Sequence, residues 1–243
     1  MFFTSRFYIF LASCLVMPVL ILVMTTMAGG TTVTDPNTGV ETTMEAFDNT
    51  WQIIASESGT GSAMNMDMTA MCNINLVYFL AGVLVCLFVS DDFWSGYAKN
   101  LFTVRARKGD YVASKTIICF VAAAFMLLAF FVGAIFGGAF AGLPFTLGAA
   151  GVSGLAMCMV AKIFLMAVFV AIFLAMSVVA KHRAWMSILL SLFGGMLLFM
   201  MIPLMTPLNS GMMNVFLCLA GGTIFAAGIG TISNAVLRKT SLV

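Results

Sequence analysis

Long apolar runs alternate with short polar gaps along this chain. Six runs approach the ~20 residues an α-helix needs to cross a bilayer. They lie at about 7–27, 70–90, 115–139, 155–180, 184–204 and 213–237. The pattern predicts an all-α membrane protein with six transmembrane helices in one transmembrane domain over residues 1–243. The second run is short, and its helix is expected to begin before Ile74. The first run follows Arg6 and precedes Ala28-Gly29-Gly30, which is the layout of a signal peptide. It is longer than the roughly 7–15 apolar residues of a signal core, so it reads as a retained span.

The gaps carry weaker patterns. Met44, Phe47, Trp51 and Ile54 recur at three- and four-residue spacing in the first gap. That spacing predicts a short amphipathic helix lying on the membrane or on the outer ends of the spans. Gly142, Pro144, Gly148 and Gly151 break the third gap, and Pro203, Pro207, Asn209 and Gly211 break the fifth. Such backbone can dip into a membrane only where protein covers it.

Composition identifies the solvent. The chain is 62% hydrophobic and 8% charged, against about 25% charged in a soluble domain. The six cysteines form no C-x-x-C pair and read as small apolar packing residues. Charge distribution sets orientation. The first gap holds six acidic residues and no Lys or Arg. Lys99, Arg105, Arg107, Lys108 and Lys115 fall in the second gap, and Lys181 and Arg183 in the fourth. Arg6 precedes the first span, and Arg238 and Lys239 follow the last. Every basic residue except Lys162 therefore falls on one side, which the positive-inside rule makes cytoplasmic. The expectation is a multi-pass protein of the cell (plasma) membrane with both termini in the cytoplasm.

The second gap, from Ser90 to Lys115, carries the functional signal. Ser90, Asp91 or Asp92 is placed to cap a helix. Phe93, Tyr97, Leu101 and Val104 then share one face. The aromatics Phe93, Trp94, Tyr97 and Phe102 exceed what a solvated loop needs and suit a partner's groove. An acidic residue, then Gly96, Lys99-Asn100, a basic pair, and Tyr111 with Lys115 form a pattern that resembles the type-2 ABC permease family. The span count, the large loop after span one and the broken connection before span six are similar to that family as well. The resemblance implies that this segment is a coupling helix docked in a cleft of an ABC ATPase subunit. It implies a docking set of Asp91, Asp92, Phe93, Trp94, Gly96, Tyr97, Lys99, Asn100, Leu101, Arg107 and Lys115. It also implies a second permease, identical or related, and export of an amphipathic or hydrophobic cargo such as a drug, lipid or antimicrobial peptide. One departure is that only Met1 to Arg6 precede the first span, where the family has a basic amphipathic helix.

The chain has no G-x-x-x-x-G-K-[ST] phosphate loop. ATP and Mg are therefore expected on the partner subunit, with no catalytic residue, cofactor or metal site in this chain, and nucleic acid is not among the expected partners. Gly151-Val152-Ser153-Gly154 matches the G-x-S-G of rhomboid-type proteases. The one histidine, His182, stands 29 positions after Ser153, roughly 43 Å along a helix. Met64, Met66, Met68 and Met71 form a run that suits a soft ion such as Cu(I). Gly133-x-x-x-Gly137 and Ala226-x-x-x-Gly230 fit close helix approach. Lys162 is the one charge inside a span, and two readings stand: a residue of the transport path, or a side chain snorkelling from the outer end of its helix. No carboxylate lies in a span to pair with it, which weakens the alternative of an ATP-independent secondary transporter or channel.

Overall fold

The computed structural model describes residues 5–29, 32–34, 41–43, 47–55, 73–104, 108–147, 151–180, 183–199 and 201–239. Apolar sequence becomes helix over most of that length. The helices are α1 (Ser5–Ala28), α2 (Leu76–Trp94), α3 (Tyr97–Val104), α4 (Lys108–Ala141), α5 (Gly151–Ala180), α6 (Ala184–Phe199), α7 (Ile202–Met205) and α8 (Met212–Lys239). α1, α2, α4, α5 and α8 are long and apolar enough to cross a membrane, and α6 is a shorter apolar helix. A two-stranded antiparallel ladder follows α1, β1 (Thr32–Thr34) with β2 (Glu41–Thr43), pairing Val33 with Thr42. Nothing in the apolar periodicity announced it.

Three spans differ from their sequence boundaries for physical reasons. α2 starts at Leu76 rather than before Ile74, because residues 73–75 form a turn. The Asn73 side chain takes the N–H of Asn75 at 2.9 Å, and the Asn73 carbonyl takes that of Leu76 at 3.0 Å. The helix then runs on through the two aspartates to Trp94. α4 begins at Lys108 and reaches 34 residues, ~50 Å at 1.5 Å per residue, against a hydrocarbon core of ~30 Å. The run at 184–204 is divided: α6 has 16 residues, and the four-residue α7 follows with Pro203 in its first turn. Proline has no N–H to donate, so it is tolerated at the start of a helix and not in its interior.

α5 is the centre of the bundle and packs on α8, α6, α2 and α4. α1 lies along α4. Gly133 and Gly137 of α4 form the seam: a Cβ on Gly133 would collide with Leu15 O and the Pro18 ring, and one on Gly137 would lie 2.9 Å from Val19 Cα. The first small-xxx-small motif is thus used within the chain. The second is not: a Cβ at Gly230 would meet Val112 Cγ1 at 4.0 Å, an ordinary contact.

The apolar residues of the first loop turn inward. Thr50–Ile53 is a single 3-10 turn, capped by the Asn49 side chain. Phe47, Trp51, Ile53 and Ile54 are buried. Trp51 stacks on Phe131 of α4 at 5.9 Å, and the Ile53 carbonyl takes the N–H of Ile74 at 2.9 Å. The amphipathic helix expected here is, over the described residues, this turn seated on helix ends. Met44 and the Met64–Met71 run lie outside the described residues.

Candidate functional site

The segment between the second and third spans is two helices, not one. α2 ends at Trp94, the chain turns through Ser95 and Gly96, and α3 starts at Tyr97. Gly96 has φ 72°, in the left-handed region where glycine carries no Cβ penalty. Its carbonyl accepts the N–H of Asn100 at 3.0 Å, so α3 grows directly from the turn. Ser90, Asp91 and Asp92 therefore do not cap the docking helix. They occupy the last turns of α2.

Two carboxylates at a helix C-terminus oppose its dipole, and here each has a cation. Asp91 pairs with Arg6 of α1 at 2.5 Å, in a surface pair with both side chains about half exposed. Asp92 pairs with Lys115 of α4 at 2.5 Å, with 11% and 13% of the lysine and aspartate side chains exposed. The Tyr111 hydroxyl donates to the same Asp92 oxygen at 2.8 Å. The Lys115 ammonium lies 3.8 Å over the Phe88 ring and 5.9 Å from the centre of the Tyr97 ring. The acidic residue, Tyr111 and Lys115 of the sequence pattern are thus an internal latch between α2 and α4.

The aromatics divide in the same way. Phe93 is 4% exposed and belongs to the core, while Trp94 is 77% and Tyr97 51% exposed. Ala98 is buried, Asn100 is exposed, and Leu101 is partly buried. Phe102 presents its ring edge-on to Tyr111 at 5.4 Å. The single face through Phe93, Tyr97, Leu101 and Val104 does not form, because the Gly96 turn comes after Phe93. The exposed aromatics of this segment are Trp94 and Tyr97. Lys99 belongs to α3, but its side chain lies outside the described residues, as does Arg107.

At the opposite end of α2 lies the second polar centre. Lys162 of α5 is 1% exposed. Its ammonium donates to Thr206 Oγ1 at 2.8 Å and to Asn75 Oδ1 at 3.4 Å. The Tyr78 hydroxyl donates to the Lys162 carbonyl at 2.8 Å. Lys162 does not snorkel: its ammonium is turned inward, toward Asn75 and Thr206. Among the described residues the ion pairs are Arg6–Asp91 and Asp92–Lys115, so the Lys162 ammonium rests on neutral acceptors. A hydrogen bond to a charged group contributes ~1.5–3 kcal/mol. Taking an ammonium out of water costs several kcal/mol. The sequence marked Lys162 as unusual and missed Asn75, Tyr78 and Thr206. Their signal was polarity at the edges of apolar runs. His182 lies outside the described residues.

A bundle of apolar helices, with an exposed aromatic pair at one end and a buried lysine near the other, defines a multi-pass membrane protein. The chain belongs to the ABC-2 transporter family: the family described as ABC-2 family transporter protein matches residues 4–198, well over half of its length. It is thus a transport membrane component, a permease that partners an ABC ATPase. The chain matches no curated protein and no solved structure.

Proposed function

We propose that this permease serves an ATP-driven exporter and receives its ATPase on the surface made by Trp94, Tyr97 and the exposed side of α3. The observation that carries this reading is the exposed pair Trp94 and Tyr97 on either side of the Gly96 turn. Large aromatics are the common anchors of protein interfaces. The latch supports it, since a push on α3 would reach α2 through the turn and α4 through Asp92. In the proposed arrangement α6 and α7 together make the sixth crossing. The chain alternates direction from helix to helix, so Arg6, Lys115 and Arg183 gather at the α3 end. The positive-inside rule then makes that end cytoplasmic, with both termini there. ATP and Mg would bind the partner subunit. Two permeases, identical or related, would enclose the path. An amphipathic or hydrophobic cargo (a drug, lipid or antimicrobial peptide) suits walls this apolar.

The test is co-purification from the native membrane in mild detergent. The wild-type chain is expected to bring down a phosphate-loop ATPase in stoichiometric amount. Trp94→Asp with Tyr97→Asp is expected to lose it while remaining monodisperse and thermally unchanged. Retention of the ATPase by that double variant would overturn the docking surface. Phe93→Asp is no substitute, because a carboxylate in that core position unfolds the end of α2.

A further inference from the structure

We infer that Lys162 is a positioning residue that biases the end of the bundle remote from α3 toward opening. Three segments meet at its ammonium: α5 itself, Asn75 at the start of α2, and Thr206 just after α7. All three side chains are buried. Thr206 Oγ1 also donates to Ile202 O at 2.7 Å, which leaves its lone pairs for the lysine. The arrangement looks like a clasp, but its energetics run the other way. With one bond at 2.8 Å and the other stretched to 3.4 Å, beyond the normal range, two neutral acceptors return less than desolvating an ammonium takes. Apolar packing around Lys162 therefore holds this end closed, and the ammonium opposes it. Water entering from that end rehydrates the charge, so the open form gains what the closed form lacks.

This account predicts opposite signs for the two sides of one hydrogen bond. Lys162→Met keeps the length of the side chain and removes the charge, so the closed form is favoured. Thr206→Val keeps the shape and removes an acceptor, so the ammonium is worse held and opening increases. A bond that merely fastens the helices gives the same sign for both.

Cys158 is the natural reporter. It is fully buried, one helical turn before Lys162, with its thiol directed at the Thr206 carbonyl at 3.4 Å. The full chain in its native membranes is treated with a sulfonated, membrane-impermeant maleimide, and labelling rates are read by peptide mass spectrometry. Lys162→Met should slow Cys158 labelling several-fold relative to wild type. Thr206→Val should speed it several-fold, Asn75→Leu should do the same, and Thr206→Ser should match wild type. Cys86 and Cys119, buried elsewhere, should not change. Faster labelling in both Lys162→Met and Thr206→Val overturns the inference, as does no change in either. A parallel rise at Cys86 and Cys119 overturns it too, since that is general loosening. The inference rests on the permease reading only for what the opening accomplishes. ATPase co-purification from the same membranes is scored separately, so loss of the partner and loss of the sign contrast are distinguishable.

Discussion

Gly133→Leu is expected to strip α1 from α4 and to leave little folded protein to purify. A Cβ at this position falls on the Leu15 carbonyl and the Pro18 ring. One turn further on, a Cβ at Gly137 would sit 2.9 Å from Val19 Cα and 3.0 Å from Leu22 Cδ1. The obstacle is largely backbone, so no change of rotamer relieves it. Overpacking a helix contact costs ~1–3 kcal/mol where side chains can shift, and more is expected where a second helix must move bodily. Lipid surrounds both helices, so burial of apolar surface does not drive them together. Close packing does, and the glycine seam provides it. Gly228→Leu in α8 is the control, because a Cβ there meets nothing within 4 Å. Thermal unfolding in detergent should fall by tens of degrees or be lost for Gly133→Leu and stay at wild type for Gly228→Leu. Equal melting of the two variants would remove the α1–α4 seam from the account.

The sequence carried the spans because hydropathy is local, and it carried the break near Pro203 because proline's missing donor is local too. It carried the glycine spacing of α4 but not the helix that uses it, since the choice of partner is made in three dimensions. The docking segment was misjudged at one point. Asp91-Asp92-Phe93-Trp94 reads equally as the cap of a new helix or the last turn of an old one. Gly96 decided between them by taking a positive φ, and that moved Phe93 into the core and left Trp94 and Tyr97 outside. Lys162 stood out as a charge in a span, yet its partners lie 87 and 44 residues away in the chain. Short-range periodicity does not reach that far.

Asp92→Ala is expected to destabilise the chain by ~3 kcal/mol, near the lower end of what breaking a buried ion pair costs. The figure is held low because the pair keeps about a tenth of its side-chain surface exposed. The loss comes less from the missing attraction than from what remains. Lys115 would keep its charge against the Phe88 ring, and Tyr111 would lose the acceptor for its hydroxyl. Lys115→Met should cost a similar amount, because Asp92 would then hold its charge on one hydrogen bond from Tyr111. The double variant Asp92→Ala with Lys115→Met removes both charges together and closes the cycle. It should cost about as much as either single change rather than their sum, giving a coupling energy of ~3 kcal/mol in the double-mutant cycle. Arg6→Ala supplies the contrast. Its pair with Asp91 has 54% and 56% of the side chains exposed, and exposed pairs contribute ~0–1 kcal/mol. Denaturant or thermal unfolding of the purified chain measures all four. Additive losses from Asp92→Ala and Lys115→Met, or a loss from Arg6→Ala as large as theirs, would mean that the latch does not join α2 to α4. A push on the Trp94–Tyr97 surface would then stop at α2.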